Sequence, residues 1–128
     1  MLVVNNISFA YIENPVIENI SFEIAKGQNV AIIGESGCGK STLLKLLYGM
    51  YNLDNGEIFY YDDEILGPKY NLIPGEDYIK YLAKDFDLMP YITVEENVGK
   101  FLSNMFKEEK RARVQELLAM VEMTEFAK

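Results

Sequence analysis

The chain has 128 residues, 49% of them hydrophobic, enough for one core and one domain, or part of one. Its 12 Lys and Arg face 20 Asp and Glu, and the net charge of −8 speaks against a nucleic-acid surface, which needs clustered cations. The one basic run, Lys107 to Arg113, is interleaved with acids and reads as a solvated helix face. No apolar run is long enough to cross a bilayer, and Met1-Leu2-Val3-Val4-Asn5 lacks the basic-then-apolar pattern of a signal peptide. The lone Cys38 excludes an internal disulfide and suits a reducing compartment, so the cytoplasm is the expected location. The absence of histidine removes the commonest general base and metal ligand.

In chain order, Leu2 to Tyr11 alternates loosely and predicts a strand; Pro15 is expected to break it. Val16 to Ile24 predicts a second strand, antiparallel to the first. After a turn at Lys26-Gly27-Gln28, the short apolar run Asn29 to Ile33 predicts a strand buried on both faces. A helix follows from Lys40 to near Gly49, then a turn at Asn52 to Gly56 and a strand over Glu57 to Tyr61. Residues 62–77, with Gly67-Pro68 and Pro74-Gly75, read as loop and turn, and Asp62-Asp63-Glu64 within them as solvated surface. Tyr78 to Ala83 alternates again and predicts a strand. Thr93 is placed to cap a helix carrying Glu95 and Glu96 in its first turn. A last helix starts near Lys107, with Val114, Leu117, Leu118 and Val121 forming either a core stripe or a partner face.

Between the apolar run and the first helix lies Gly34-Glu35-Ser36-Gly37-Cys38-Gly39-Lys40-Ser41, the full G-x-x-x-x-G-K-[ST] pattern in a strand–loop–helix frame. The chemistry needs each residue type. Gly34, Gly37 and Gly39 permit positive φ, so that successive N–H groups curl around an anion. The helix N-terminus adds partial positive charge and unpaired donors. Lys40 reaches the β- and γ-phosphates, the Ser41 hydroxyl ligates Mg²⁺, and Thr42 adds a phosphate contact. A nucleoside triphosphate is the expected ligand. Cys38 either fills a small site or, beside a helix N-terminus and a lysine, is prone to alkylation that ATP would prevent.

These segments together resemble the ATP-binding cassette of ABC transporters. The run from Val30 to Leu44 is similar to that family's Walker A segment, and Ile7-Ser8-Phe9-Ala10-Tyr11 to its adenine-stacking A-loop. Leu53 to Ile58 resembles the turn after the P-loop helix, and Asp85 to Val98 the Q-loop and the entry to the helical subdomain. The resemblance implies an α/β fold: a P-loop NTPase (RecA-like) core with an antiparallel β subdomain, over residues 1–92, and the start of an α-helical subdomain over 93–128. It implies ATP and Mg²⁺ as ligands, held by Tyr11, Val16 and Gly34 through Thr42, although Tyr11 as an edge packer and Val16 as plain packing stay open. It further implies a second ATP-binding subunit arranged head to tail, an integral-membrane permease, and a peripheral place on the inner face of the membrane. The Tyr91 to Val98 run looks most like subunits of lipoprotein-release, macrolide-export or cell-division type. A soluble ABC ATPase acting in translation or DNA repair, or a cassette that binds without turnover, are the rival readings.

Two departures from the family pattern stand out. Where its Q-loop glutamine should fall, just before Asp85, this sequence has Lys84, a cation with no acceptor for Mg²⁺. Lys84 either marks weakened turnover or is a drifted residue. The Leu-Ser-Gly-Gly-Gln signature, the Walker B strand and the switch histidine are also missing from the 128 residues, and Leu102-Ser103-Asn104-Met105 does not replace the signature. The fold class is therefore expected to be incomplete here. Hydrolysis by these residues alone is not expected, and an exposed apolar strand edge is.

Overall fold

The computed structural model describes Met1–Lys128, which divide into two compact units, Met1–Tyr81 and Leu82–Lys128. The division falls ahead of the 92/93 boundary expected from the sequence.

The first unit holds one four-stranded antiparallel sheet in the order β2-β1-β3-β4, with β1 Leu2–Tyr11, β2 Asn14–Ile24, β3 Asn55–Tyr60 and β4 Asp63–Glu64. One face of β1 carries Val4, Ile7 and Phe9, all buried. Strict alternation would put residue 6, not 7, on the face of Val4. A bulge corrects this: the register shifts between Val4 and Ile7, and Asn6 sits at φ 46°. Serine hydroxyls take up the N–H groups freed by such shifts, Ser21 Oγ accepting from Asn6 N (2.8 Å) and Ser8 Oγ from Asn19 N (3.0 Å). Pro15 does not break the ladder as expected. It pairs with Ala10 near the start of β2, an edge strand, where its missing N–H costs no interior bond.

Helix α1, Lys40–Leu47, packs Leu43 and Leu46 against Val4, Ile7, Phe9, Ile17, Ile58 and Ile65. Each such side chain contributes about 1.5–3 kcal/mol by leaving water. The helix ends in a Schellman motif: Gly49 at φ 81° donates to Leu46 O and Met50 donates to Lys45 O.

Three further expectations fail, two within this unit and one across its boundary. Asn29 to Ile33 forms no strand, and Val30, Ile32 and Ile33 are exposed, Ile33 by 93%. β-branched residues become a strand only when a neighbour completes the ladder, and the four strands of this sheet pair only among themselves. Tyr78 to Ala83 forms no strand either; Tyr78 stacks on Tyr60 (4.7 Å, 14°) and Tyr81 lies beside Tyr48 (5.6 Å). Ring contacts, not a ladder, hold residues 78–81. The supposed loop at 62–77 opens instead with β4, whose next residue, Ile65, is buried and donates its N–H to Ile58 O at 2.8 Å.

The second unit contains α2, Val94–Val98, α3, Lys107–Met120, and a 3₁₀ turn over Thr124–Phe126. Thr93 caps α2 as expected, in a full capping box with Glu96. Asn97 stitches the preceding loop to the helix, donating to Met89 O and Thr93 O and accepting from Met89 N. Val114 and Leu118 form the core with Ala127, supported by Val98 and Leu102. Val121 leaves the expected stripe, lying one residue beyond α3 and 63% exposed.

Candidate nucleotide-binding site

The loop between residue 33 and α1 is shaped by its glycines in two different ways. Gly37 and Gly39 take the left-handed region, at φ 82° and 99°, as expected. Gly34 does not; its role is spatial, because a Cβ there would stand 2.7 Å from Cys38 Sγ. At Gly39 a Cβ would meet Val16 Cγ1 at 2.9 Å and Ile17 Cδ1 at 3.3 Å, so only glycine lets β2 close against the start of the helix.

Gly39 is the N-cap of α1 and offers no side-chain acceptor, and no acid stands in the first turn. The helix therefore presents its unpaired N–H groups and the positive end of its dipole without an internal counter-charge. Lys40 curls back over the loop. Its Nζ donates to Gly34 O at 2.8 Å and to Glu35 O, and lies 3.6 Å from Cys38 Sγ. The ammonium is thus held beside the loop by two backbone carbonyls and the Cys38 sulfur, with no carboxylate partner, free to exchange them for an anion. Glu35, Ser36, Cys38 and Ser41 are exposed, and Thr42 is buried.

Tyr11, at the end of β1, reaches this helix: its phenol and the Thr42 hydroxyl share a hydrogen bond of 3.2 Å. The bond, reinforced by the Tyr51 phenol and the Lys45 ammonium, holds the Tyr11 phenol below the usual tyrosine range against the opposing effect of burial. Val16 packs against the loop at Gly39. The structure thus brings Tyr11, Val16 and residues 34–42 together. Lys84 belongs to the second unit, exposed on the turn over residues 84–87.

Two neighbours went unnoticed in the sequence, Tyr51 and Lys45. Phe9 and Tyr51 stack (5.3 Å, 13°), both meet Tyr11 nearly at right angles, and Lys45 Nζ lies 5.8 Å from the Tyr51 ring centre. Nothing local in the sequence joins residue 51 to residue 11; the contact exists only once α1 lies on the sheet.

A family model described as ABC transporter matches residues 17–128. The chain belongs to the ABC transporter family. It is 32% identical over 126 residues to the spermidine/putrescine import ATP-binding protein PotA of Thermotoga maritima, covering 97% of this chain and 33% of that protein. It is 30% identical over 129 residues to the Fe(3+) ions import ATP-binding protein FbpC 2 of Haemophilus influenzae, covering 99% of this chain and 36% of that one. Among solved structures it resembles the dimeric bacterial ABC transporter cassette MJ0796, with a TM-score of 0.75 and 27% identity over all of this chain and 60% of the other. A post-hydrolysis dimer of the same cassette bound to ADP and Pi superposes with a TM-score of 0.73 at 25% identity. The fold class is that of the P-loop cassettes, here as a partial domain. The chain spans about a third of the length of the curated relatives it matches. The relatives named here are import proteins, and these matches do not carry the lipoprotein-release, macrolide-export or cell-division type expected from Tyr91 to Val98.

Proposed function

We propose that this chain binds Mg·ATP on the 34–42 segment and that, in the whole protein, the same site supports hydrolysis that powers transport through a membrane permease. The observation that carries the reading is the open N-terminus of α1: an uncapped, acid-free helix start beneath a glycine loop, with Lys40 held by carbonyls and the Cys38 sulfur and by no carboxylate. In this reading the N–H groups from Gly37 to Thr42 receive phosphate oxygens. Lys40 leaves Gly34 O for the β- and γ-phosphates, Glu35, Ser36 and Cys38 line the loop, and Tyr11 and Val16 face the adenosine.

The residues also suit Mg²⁺. No group of three or more acidic, Cys or His side chains could cage a metal. A single hydroxyl, Ser41, is the kind of contribution an ion makes use of when it keeps its waters and binds phosphate oxygens. When bound, Mg²⁺ neutralises charge on those oxygens. The chain's own part is to position the phosphates and to place the cation of Lys40 where negative charge develops.

The names of the relatives support a transport role, and the dimeric cassette supports a second ATP-binding subunit, which the reading arranges head to tail. A permease partner, with the protein peripheral on the inner face of the membrane, completes the reading. No helix of the structure is long and apolar enough to cross a membrane. Leu88, Met89 and Tyr91, the last 97% exposed, give the second unit an apolar surface for a partner. We assign Met1–Tyr81 to the β subdomain and loop core, and Leu82–Lys128 to the helical subdomain.

The test is equilibrium titration with Mg·ATP. Binding that is lost in Lys40→Ala is the expected result, and equal binding by the variant would sink the assignment. Lys84 favours a second reading, a cassette that binds without turning over. In the whole protein Lys84→Gln is expected to raise Mg²⁺-dependent turnover; an unchanged rate would remove Lys84 from the mechanism.

A further inference from the structure

We infer that Tyr51 is a positioning residue for the nucleobase: it fixes the ring of Tyr11, and with it base affinity, while touching no phosphate-binding group itself. The inference rests on the nucleotide reading above and deepens it. Tyr11 lies at the end of a strand, is 41% exposed, and is followed by Ile12, fully exposed at φ 57°. A ring so placed has little backbone restraint on its far side. What holds it is a set of side chains from elsewhere in the sequence. Phe9 and Tyr51 form a near-parallel pair (5.3 Å, 13°), and Tyr11 stands across it, 4.9 Å from Phe9 at 86° and 5.7 Å from Tyr51 at 82°.

Phe9 is fixed by the core, being 9% exposed and one of the residues that pack β1 on α1. Tyr51 is the adjustable member: it follows α1 by three residues past its Tyr48 C-cap, and Lys45, on the last turns of that helix, lies over its ring at 5.8 Å. Through Tyr51 on one side and the Thr42 hydroxyl on the other (3.2 Å), the orientation of Tyr11 is tied to the helix whose N-terminus receives phosphate. Perpendicular aromatic contacts favour a particular angle, not merely proximity. A ring already set at that angle loses less freedom when a base stacks on it, which raises affinity without a new contact to the ligand. The chemistry recognised is a planar purine or other aromatic base; a phosphate chain without a base gains nothing from it.

The discriminating experiment compares two probes, Mg·ATP and inorganic tripolyphosphate, on the full chain with Tyr51→Leu and Tyr51→Phe. Tyr51→Leu is expected to weaken ATP by roughly two- to tenfold, the range of one lost aromatic pair, and to leave tripolyphosphate unchanged. Tyr51→Phe keeps the rings and is expected to lose only about twofold for ATP, the effect of the missing phenol. A Tyr51→Leu that binds ATP as the unaltered chain does overturns the inference, and so does an equal loss for both probes, which would mark Tyr51 as structural packing alone. Should Tyr51→Leu fail to fold, unchanged ATP affinity in Tyr51→Phe overturns it. The two readings fail differently: if the unaltered chain binds neither probe, the nucleotide site itself is wrong, whereas an unaltered chain that binds both isolates the role of Tyr51.

Discussion

The two units solve the same problem with different means. Met1–Tyr81 buries eight core side chains between a sheet and α1, and the phosphate-type loop is built directly onto that core through Gly39, Val16 and Ile17. Leu82–Lys128 buries three, Val114, Leu118 and Ala127, and relies on polar devices: the Thr93–Glu96 capping box, the Asn97 bridges, and the Lys100–Asp87 pair at 3.0 Å. Exposed ion pairs contribute little, and a five-residue helix is marginal without help. The contrast teaches where precision is needed. The glycine loop, proposed to meet an anion, is seated on apolar packing; the other unit holds its shape with hydrogen bonds that open at lower cost.

The largest break of this contrast comes from the cores. Leu46→Ala, at a residue 2% exposed on the last turn of α1, is expected to cost about 2–5 kcal/mol, and the measurement is urea unfolding followed by intrinsic tyrosine fluorescence. Leu118→Ala, equally buried, is expected at the low end of the same range, since a core of three residues collapses more readily around the gap. Its effect belongs in hydrogen exchange of α3 and α2 amides. If Leu118→Ala raised exchange throughout β1 and α1 as well, the two units would be one cooperative body and the contrast would fall.

Thr93→Ala sharpens the comparison at smaller scale. It removes the hydroxyl that accepts from Glu96 N and the hydroxyl donor to Glu96 Oε2, and is expected to cost about 1 kcal/mol, read as lost protection of α2 amides. No capping side chain exists at α1 to remove, because Gly39 offers none. One helix start is closed by its own side chains and the other is left open, as the proposed nucleotide site requires.

The same division separates what was legible in the sequence from what was not. The glycine loop was readable because its constraints are local: Gly37 and Gly39 need positive φ and Lys40 follows at once. Thr93 was readable for the same reason, its partner Glu96 lying three residues on. Asn29 to Ile33 and Tyr78 to Ala83 were misread because a strand is a property of a pair, and pattern alone does not supply the neighbour. Ile65 was missed because β4 is two acidic residues long, too short to show alternation. Gly34 does not take the positive φ expected of it, and the crowding by Cys38 Sγ that favours glycine there appears only in three dimensions. Tyr51 is the case of a residue whose role depends wholly on a contact across the fold.

The smallest effect is the most specific, because it can be tuned by pH alone. Glu96 sits in the capping box, and the Thr93 N–H at 2.7 Å, followed by the Thr93 hydroxyl, holds its carboxyl below the ordinary range. A carboxylate whose folded pKa is depressed binds protons more readily in the unfolded chain, so folding gains from it above the unfolded value, about 4.3. That gain starts to fade as pH drops past the unfolded value and is gone once pH has fallen through the lower, folded one. Protonation in the fold removes the negative charge that strengthens acceptance by Glu96 Oε2 from the Thr93 N–H and hydroxyl, and so weakens the reciprocal half of the box. Protection of α2 amides, corrected for intrinsic exchange, is therefore expected to fall on acidification through this window, and Glu96→Gln, which keeps an acceptor but cannot titrate, is expected to lose that fall. Acid effects on other carboxylates are common to both proteins and cancel in the comparison. Parallel loss in the two would mean that α2 is held by its packing on α3 through Val98 and not by its cap, and the second unit would then resemble the first more than its polar bonds suggest.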